Sequence, residues 1–313
     1  TKAALRRIPV VGEAMVHGVE QVKEDLKRLY LRDGALFEEM GITYYGPVNG
    51  HDLGELDAFL RVAKEAAKPV LLHVITEKGH GCDYCTDDYD GLWHGVGAFD
   101  AQSGRQTAAG GTTQGKAVSR MVTELAAEDE RIYAITPAMT TGAHLTEFAK
   151  KYPKRFIDAG IAEEHALVLA NALALDGMRP FVTIYSTFLQ RGYDEVNHDI
   201  ARMGGNVVVG IDRCGVIGED GVSHQGIFDV SLLLPVPGII LAQGRDAAES
   251  ARLLATGFTA EGPYFLRYSK NAMPEQPLSR EPLPIGRWDR LREGEITVIT
   301  YGDFVGEAEE AAR

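Results

Sequence analysis

Two carboxylates and an imidazole stand together at Glu163, Glu164 and His165, where a turn gives way to an apolar run. A strand-like apolar lead-in ends at Gly160, and residues 167–175 carry no charge, which predicts a buried helix too short to cross a bilayer. Acids at a helix start are favoured by the helix dipole, whereas an unpaired buried charge is costly. The three residues therefore fit either helix capping or a chemical site, and their spacing alone leaves both open.

Further polar side chains follow the ends of other strand-like runs. Apolar residues 180–184 precede a Tyr-Ser-Thr-Phe segment, and apolar residues 207–211 precede Asp-Arg-Cys-Gly and a loop with acids and a histidine. The carboxyl ends of strands in an open parallel sheet meet at one ligand crevice. The sequence thus predicts one sheet edge that carries Glu163, Tyr185, Phe188, Arg213, Asp220 and His224.

The motifs GIAEEHA, YSTFLQRGYDEVNHD and IDRCGVIGEDGVSHQGIFD, with YYGPVNGHDL upstream, carry a family resemblance. In order and spacing they closely resemble the 1-deoxy-D-xylulose-5-phosphate synthases, thiamine-diphosphate enzymes related to transketolase, over essentially the whole chain. The resemblance implies an α/β fold, in which a parallel-sheet, helix-covered pyrimidine-binding domain has partial α/β domains on either side. It also implies a transferase that joins pyruvate, with loss of CO₂, to D-glyceraldehyde 3-phosphate, toward isoprenoid, thiamine and pyridoxal precursors.

The resemblance implies roles for individual residues as well. Glu163 corresponds to the glutamate that hydrogen-bonds the aminopyrimidine ring of thiamine diphosphate. Phe188 corresponds to the aromatic residue stacked on that ring, although a phenylalanine taken alone is more often a core residue. The other cofactor-binding residues that the resemblance implies are Ile161 and Lys78, and the further catalytic residues are His224 and His94.

Substrate contacts are implied in the same way. A phosphate group is bound by guanidinium, ammonium and hydroxyl donors. The positions that match the family's substrate-binding residues are Tyr185, Arg213, Asp220, His224 and Lys270.

Three positions depart from the family pattern. Glu164 stands where the family usually has glutamine, which places a second acid beside Glu163. Lys270 replaces an arginine, and lysine lacks the two-pronged guanidinium that grips a phosphate. Asn49 replaces an aspartate in the loop that leads to His51. These changes bear on how well the site would work.

Alternatives from other classes stay open at this point. Transketolase or the β subunit of a 2-oxoacid dehydrogenase would share the glutamate and the sheet, but STFLQRGYDEV and GVSHQG follow the synthase pattern. A truncated non-catalytic paralogue and one half of a split transketolase-like enzyme are motivated by a missing motif. The family holds Mg²⁺ and the diphosphate with Gly-Asp-Gly followed by Asn, which does not occur in this sequence. We therefore expect the magnesium ligands in a missing N-terminal segment and the isolated chain to be inactive.

The composition bounds the partners. Lys+Arg 32 against Asp+Glu 45 gives a net charge of −13, which argues against non-specific nucleic-acid binding because that depends on cations at phosphates. Without a signal sequence or a long apolar run, we expect a cytoplasmic protein that does not enter membranes, and the resemblance implies a homodimer. Three cysteines leave one unpaired, which fits a reducing cytosol. Cys82-x-x-Cys85 supplies only two of the four ligands of a structural zinc site, so a metal or redox role there is disfavoured.

The chain divides by pattern into four parts. Residues 1–97 are expected to be the C-terminal part of a diphosphate-binding domain, 98–113 a linker, 114–280 the pyrimidine-binding domain, and 281–313 a connector with the first βα unit of a third domain. Helices and strands alternate, as in a parallel helix-covered sheet. The predicted strands are 41–45, 70–76, 131–135, 155–158, 180–185, 206–212, 238–242, 263–268 and 297–301. The predicted helices are 13–31, 35–40, 53–67, 114–127, 143–151, 162–176, 187–202, 245–257 and 305–313, and 46–52 is a predicted loop.

Overall fold

A computed structural model describes residues 34–86, 93–105, 111–218 and 221–313. The chain forms two compact units, residues 1–88 and 89–313. Two predictions lie outside the described residues, the helix over 13–31 and the site residue Asp220.

The first unit contains a parallel pair of strands with short and medium helices. Its described elements are α1 Ala35–Glu39, β1 Thr43–Asn49, α2 Leu53–Glu65 and β2 Val70–Ile75. Asp52 caps α2 as predicted, because its Oδ1 accepts hydrogen bonds from the backbone N–H groups of Gly54 (2.9 Å) and Glu55 (3.0 Å).

The predicted loop over 46–52 is wrong in its first half, because β1 continues to Asn49. Proline lacks a backbone N–H and normally interrupts a strand. The pairing of β1 with β2 shifts register between Tyr45 and Val48, and this irregularity carries Pro47 past the ladder. Strand β1 therefore continues through Pro47, although proline normally disfavours a strand.

The second unit alternates strands and helices along most of its length. Its strands are β3 Thr112–Thr113, β4 Ile132–Thr136, β5 Phe156–Asp158, β6 Arg179–Tyr185, β7 Val208–Asp212, β8 Ile240–Gln243, β9 Tyr264–Arg267 and β10 Ala272–Met273. Its α-helices are α3 Gln114–Leu125, α4 Thr146–Lys151, α5 Glu163–Leu175, α6 Ser186–Leu189, α7 Asp229–Leu233, α8 Ala247–Thr259 and α9 Phe304–Ala311. The predicted alternation is confirmed from α3 to β9.

Six of these strands form one parallel sheet in the order β5-β4-β6-β7-β9-β8. The central strands β6, β7 and β9 are buried along nearly their whole length, as expected for apolar strands covered on both faces. The chain leaves β4 toward β5 and returns on the other side of β4 at β6, so the strand order reverses there. Ligands bind outside the carboxyl ends of strands at such a reversal. The predicted α/β, parallel-sheet fold class is confirmed.

Two hydrophobic layers hold this sheet, one on each face. The first joins the sheet to α3 and α8 through residues such as Met121 and Leu254, and it receives Phe181 from β6. The second contains Leu167 of α5, and it receives Val182, the next residue of the same strand. Successive strand residues point to opposite faces, so the two layers are built from alternate residues of the same strands.

The predicted helix over 187–202 is confirmed in position, because residues 186–203 are helical throughout, but its pitch changes along its length. Helix α6 is followed by a 3₁₀ turn at Gln190–Gly192 and a π-helix at Glu195–Ala201. Gly192 lies so close to α5 that a Cβ on it would collide with Leu167. A uniform α-helix has one pitch throughout, whereas these changes of pitch allow the close contact. The segment that carries Phe188 is therefore fitted to α5.

Helix α5 forms as predicted, but its burial is one-sided. Leu167 and Ala170 are fully buried, whereas Val168 is 43% and Leu175 55% exposed. The prediction that the whole of 167–175 is buried is wrong for the exposed residues, because only one face of the helix packs on the sheet within this chain.

The predicted strand over 297–301 is also wrong. Val298 and Ile299 are exposed, and in the part of the chain that the structure describes no strand forms there. An apolar run needs a neighbouring strand to complete its hydrogen bonds. The helix predicted after it is confirmed as α9, and the preceding Asp303 accepts a hydrogen bond from the Asn271 side chain at 2.8 Å.

The predicted linker over 98–113 ends in a short strand. β3 pairs antiparallel with β10, so residues 112 and 113 of the predicted linker belong to a short ladder. Cys82 and Cys85 form a disulfide, with Cα atoms 5.3 Å apart, and Cys214 is free and buried. None of the helices in the described ranges is long and apolar enough to span a bilayer. The three boundaries between the four predicted parts stay predictions.

Candidate active site

Asp158 joins the loops that follow β4 and β5 at the carboxyl edge of the sheet. Its carboxylate accepts hydrogen bonds from the backbone N–H groups of Ala138 and Gly160 and from the hydroxyl of Thr140, each at 2.9 Å. Gly160 has φ +69°, a conformation that glycine adopts without strain. These bonds fix the turn that leads into α5, and with it the position of Glu163.

Glu163 is the buried acid at the start of α5. It is 3% exposed, while Glu164 and His165 are exposed. Successive helical residues are rotated by about 100°, so only one of the two adjacent acids faces inward. Arg191 Nη1 donates hydrogen bonds to both carboxylate oxygens of Glu163, at 3.2 Å to Oε1 and 3.0 Å to Oε2. The helix N-terminus and the guanidinium together make this an electropositive seat for a carboxylate.

Aromatic rings and guanidinium groups form a continuous stack beside Glu163. The rings of Tyr185 and Phe188 lie nearly parallel, with centroids 5.7 Å apart and an angle of 12° between the planes. Arg191 Cζ lies 5.4 Å from the Phe188 centroid, and Arg213 Cζ lies 3.9 Å from the Tyr185 centroid. Both distances are within the range of cation–π contacts. The stack thus connects the strand end at Tyr185 to the buried acid.

His224 joins this group from a third loop. Its ring meets the Phe188 ring edge-on, with centroids 5.3 Å apart and planes at 80°. Its Nδ1 lies 2.7 Å from the hydroxyl oxygen of Ser223. Through Arg191 and these ring contacts, the structure brings together the predicted residues Glu163, Tyr185, Phe188, Arg213 and His224, which we call the Glu163 cluster.

The other predicted site residues occupy four different segments. Ile161 is 80% exposed in the turn before α5, and Lys270 is half-buried beyond the end of β9. Lys78 is exposed in a turn after β2 of the first unit, and His94 is exposed near the start of the second unit. Their roles stay predictions.

Backbone strain is concentrated at the same edge of the sheet. Among the described residues, the non-glycine residues with positive φ are Ala138 (56°), His144 (59°) and Arg213 (57°), and they follow β4 or β7. Left-handed backbone is uncommon for non-glycine residues, and residues held in strained conformations cluster at active sites and ligand clamps. Packing is close as well, because a Cβ on Gly142 would collide with the hydroxyl of Tyr185.

His144 brings a titratable group to this strained edge. Burial, and then the positive charges of Lys116 and Arg213, lower the pKa of its imidazole to about 4. The ring packs on Gly115, where a Cβ would lie 3.3 Å from Cδ2. His144 is therefore neutral at pH 7 in the field of two cations.

We expect acid to destabilise the protein through His144. The pKa of histidine is about 6.5 in the unfolded chain and about 4 at His144 in the folded chain. Between these values the unfolded chain binds more protons, so stability is fully present above pH 6.5 and is lost as the pH falls toward 4. From pH 7 to pH 4, the free energy of unfolding should fall by about 2–3 kcal/mol more than in His144→Asn, since asparagine does not titrate and tolerates left-handed backbone. Urea unfolding at each pH measures this, and equal losses in both proteins would contradict it.

A buried ion pair braces the strand ends behind the Glu163 cluster. Arg267 Nε donates to Asp229 Oδ2 at 2.6 Å, and its Nη2 donates to Oδ1 at 3.2 Å. Gln243 accepts a further bond from Arg267, and the Cys214 thiol donates to Asp229 Oδ2 at 3.3 Å. Burial, together with the charge of Asp229, raises the pKa of that thiol. The pair ties the ends of β7, β8 and β9 to α7.

Arg191 and His144 were not predicted as site residues. Arg191 is three residues after Phe188, and residues at that spacing lie on the same side of a helix, so the sequence held a usable signal for it. The sequence holds no comparable signal for His144, because its position depends on a left-handed backbone conformation that the residue type does not predict.

The model of the family described as "Transketolase, pyrimidine binding domain" matches residues 111–276. This chain belongs to that family. A second family model, described as "1-deoxy-D-xylulose-5-phosphate synthase", matches residues 1–76. The two matches confirm the resemblance that the motifs indicated.

Curated relatives agree with these matches. The 1-deoxy-D-xylulose-5-phosphate synthase of Listeria innocua is 42% identical, over 98% of this chain and 50% of its own length. The enzyme of the same name from Bacillus velezensis is 45% identical, over 98% of this chain and 49% of its own length. The chain thus spans about half the length of the curated relatives it matches.

A solved structure shares the architecture. The protein titled "Split gene transketolase, inactive beta4 tetramer" superposes with a TM-score of 0.59 at 27% identity, over 65% of this chain and 67% of its own. The pyrimidine-binding fold of this chain therefore agrees with a structure of the transketolase family.

Transketolase-like enzymes use thiamine diphosphate, and the Glu163 cluster fits the aminopyrimidine half of that cofactor. A flat ring with nitrogen atoms needs a face on which to stack and a carboxylate at its edge. Phe188 offers the first and Glu163 the second. The described residues contain no group of three or more His, Cys, Asp or Glu side chains able to hold a metal ion. The fit accordingly concerns the pyrimidine half.

Proposed function

We propose that this chain supplies the pyrimidine-binding part of a 1-deoxy-D-xylulose-5-phosphate synthase. The observation that carries the proposal is the buried carboxylate of Glu163 and the ring of Phe188, both in contact with Arg191 at the carboxyl edge of the sheet. Identities of 42% and 45% to synthases of that name support the same reaction. That reaction condenses pyruvate, with loss of CO₂, and D-glyceraldehyde 3-phosphate.

Three residues of this chain would act on the cofactor's pyrimidine ring. When bound, thiamine diphosphate supplies a nucleophilic carbon and an electron sink. Glu163 would share a proton with a ring nitrogen, Phe188 would fix the plane of the ring, and Ile161 would add an apolar contact from the turn before α5. The resemblance supports Lys78 as a further cofactor-binding residue and His94 as a further catalytic residue.

Substrate binding falls to residues around the same edge. The guanidinium of Arg213, the hydroxyl of Tyr185 and the ammonium of Lys270 are donors for the phosphate of D-glyceraldehyde 3-phosphate. His224, with an imidazole beside Phe188, is placed to hold or move a proton on the substrate. Asp220 is assigned to a substrate hydroxyl on the resemblance alone.

The proposal has further parts that the family resemblance supports. Mg²⁺ would be held by ligands in a Gly-Asp-Gly and Asn motif that this sequence does not contain. A homodimer and a cytoplasmic location complete the proposal. We also propose the division into a first domain to residue 97, a linker over 98–113, the pyrimidine-binding domain over 114–280 and a third-domain segment from 281.

We expect the 313-residue chain alone to make no 1-deoxy-D-xylulose 5-phosphate, because its sequence lacks the diphosphate motif. Adding the separately produced N-terminal segment of the Listeria innocua relative should restore product, which mass spectrometry detects. The same mixture with Glu163→Gln is the control and should stay inactive. Product from the chain alone would contradict the expected division of labour, and an inactive mixture would count against the proposed function.

A second candidate is one half of a split transketolase-like enzyme. The solved relative titled as a split-gene transketolase is covered to 67% by this chain, so a transketolase from a split gene is among the chain's structural relatives. Replacing D-glyceraldehyde 3-phosphate and pyruvate by a ketose phosphate donor and an aldose acceptor in the same mixture tests this candidate. Transfer of a two-carbon unit in that mixture, together with no decarboxylation in the original mixture with pyruvate, would favour it.

A further inference from the structure

The carboxylate of Glu163 is already engaged by a side chain of the same domain. Arg191 Nη1 serves both of its oxygens, at 3.0 and 3.2 Å. Among the described residues, Arg191 is the only cation that forms an ion pair with Glu163. The group expected to meet the pyrimidine therefore has a resident partner.

The same guanidinium also lies over the ring expected to support the pyrimidine. Arg191 Cζ is 5.4 Å from the centroid of Phe188. An aminopyrimidine that stacks on Phe188 and hydrogen-bonds to Glu163 needs the two partners that Arg191 now holds. The ring of the ligand and the guanidinium of Arg191 therefore compete for the same contacts with Phe188 and Glu163.

The two ends of this ion pair differ in how easily they can separate. The side chain of Arg191 is 48% exposed, whereas that of Glu163 is 3% exposed. A half-exposed arginine can turn into water and keep its charge solvated, because its side chain already reaches the solvent. A buried carboxylate left without a partner is far less stable. Arg191 can thus leave readily, provided that another donor takes its place.

We propose that Arg191 is a displaceable counterion, a positioning residue that occupies Glu163 and covers Phe188 until an aminopyrimidine ring replaces it. Its 3₁₀ turn at Gln190–Gly192 lies between α6 and the π-helix, so the residue stands at a change of pitch beside a fixed α5. This inference rests on the proposed function, since it assumes that a pyrimidine binds here.

The test uses the whole chain and the probe 4-amino-5-hydroxymethyl-2-methylpyrimidine, the pyrimidine half of the cofactor. In ¹⁵N spectra, the Arg191 side-chain Nε–Hε signal, assigned by its loss in Arg191→Lys, should shift on titration with the probe, while that of the exposed Arg202 should not. Removing a competitor of this modest strength should tighten probe binding about two- to tenfold in Arg191→Ala. Arg191→Lys should give an intermediate value, and Arg202→Ala should leave binding unchanged.

The outcomes separate the inference from the function on which it rests. If Arg191→Ala is folded by circular dichroism and binds the probe more weakly than, or as well as, the wild-type chain, the counterion role is overturned. The pyrimidine site itself would still be upheld if Phe188→Ala lost probe binding. Should Arg191→Ala not fold, an Arg191 signal that stays fixed while the probe binds to the wild-type chain would overturn the role equally. Absence of probe binding to both wild-type and Arg191→Ala chains at millimolar concentration would overturn the inference together with the pyrimidine site.

Discussion

Replacing Glu163 with glutamine is expected to slow exchange of the cofactor's thiazolium proton by about 10²–10⁴-fold, the usual range for loss of an acid–base group. The measurement is deuterium exchange followed by NMR, in the chain complemented with a diphosphate-binding segment. Glutamine keeps the shape of the side chain but cannot share a proton with a ring nitrogen. Since Glu163 is 3% exposed at the start of α5, no solvent-borne acid takes its place.

Glu164→Gln is the matched control for this experiment. Glu164 is exposed although it adjoins Glu163, because a helix rotates about 100° between successive residues. The substitution restores the residue usual in the family, so exchange should change little. If Glu164→Gln slowed exchange as much as Glu163→Gln, the assignment would be wrong, and a coupled pair of carboxylates would replace it.

Asp229→Ala should lower the free energy of unfolding by about 3–5 kcal/mol, because it leaves the guanidinium of Arg267 buried without its counterion. Asp229 is 1% and Arg267 7% exposed, and the closest oxygen and nitrogen are 2.6 Å apart. The loss is large against the total stability of a typical domain, which is about 5–15 kcal/mol. Urea unfolding followed by circular dichroism measures it.

The control for this pair is Asp289→Ala. Asp289 pairs with Arg245 at 3.2 Å, but its side chain is 65% exposed. Exposed pairs contribute about 0–1 kcal/mol, so this substitution should hardly move the midpoint. Similar losses for both variants would show that burial does not set the strength of the Asp229–Arg267 pair.

The sequence predicted much of this site because its signals are local. Apolar runs that end at Tyr185 and at Asp212 identify strand ends, and strand ends in a parallel sheet share an edge. The motif around Glu163 places two adjacent acids at a helix start. These two facts suffice to expect Glu163, Tyr185 and Arg213 together, and the structure joins them through a ring stack and an ion pair.

Other features depend on contacts that no local pattern encodes. The ion pair between Arg191 and Glu163 spans two elements, and Arg191 lies in the 3₁₀ turn at Gln190–Gly192. The strand predicted over 297–301 has the right apolar composition, but a strand also requires a neighbour to pair with. The left-handed backbone of His144 is set by the surrounding packing, which overrides the preference of the residue itself.

The side chain of Asp158 links the loop after β4 to the loop after β5. Its three hydrogen bonds join the backbone after β4, at Ala138, to the turn before α5, at Gly160. A displacement of either loop is therefore passed to the other through a single short carboxylate rather than through the sheet. Loss of this carboxylate would therefore free the backbone after β4 and the turn before Glu163 at the same time.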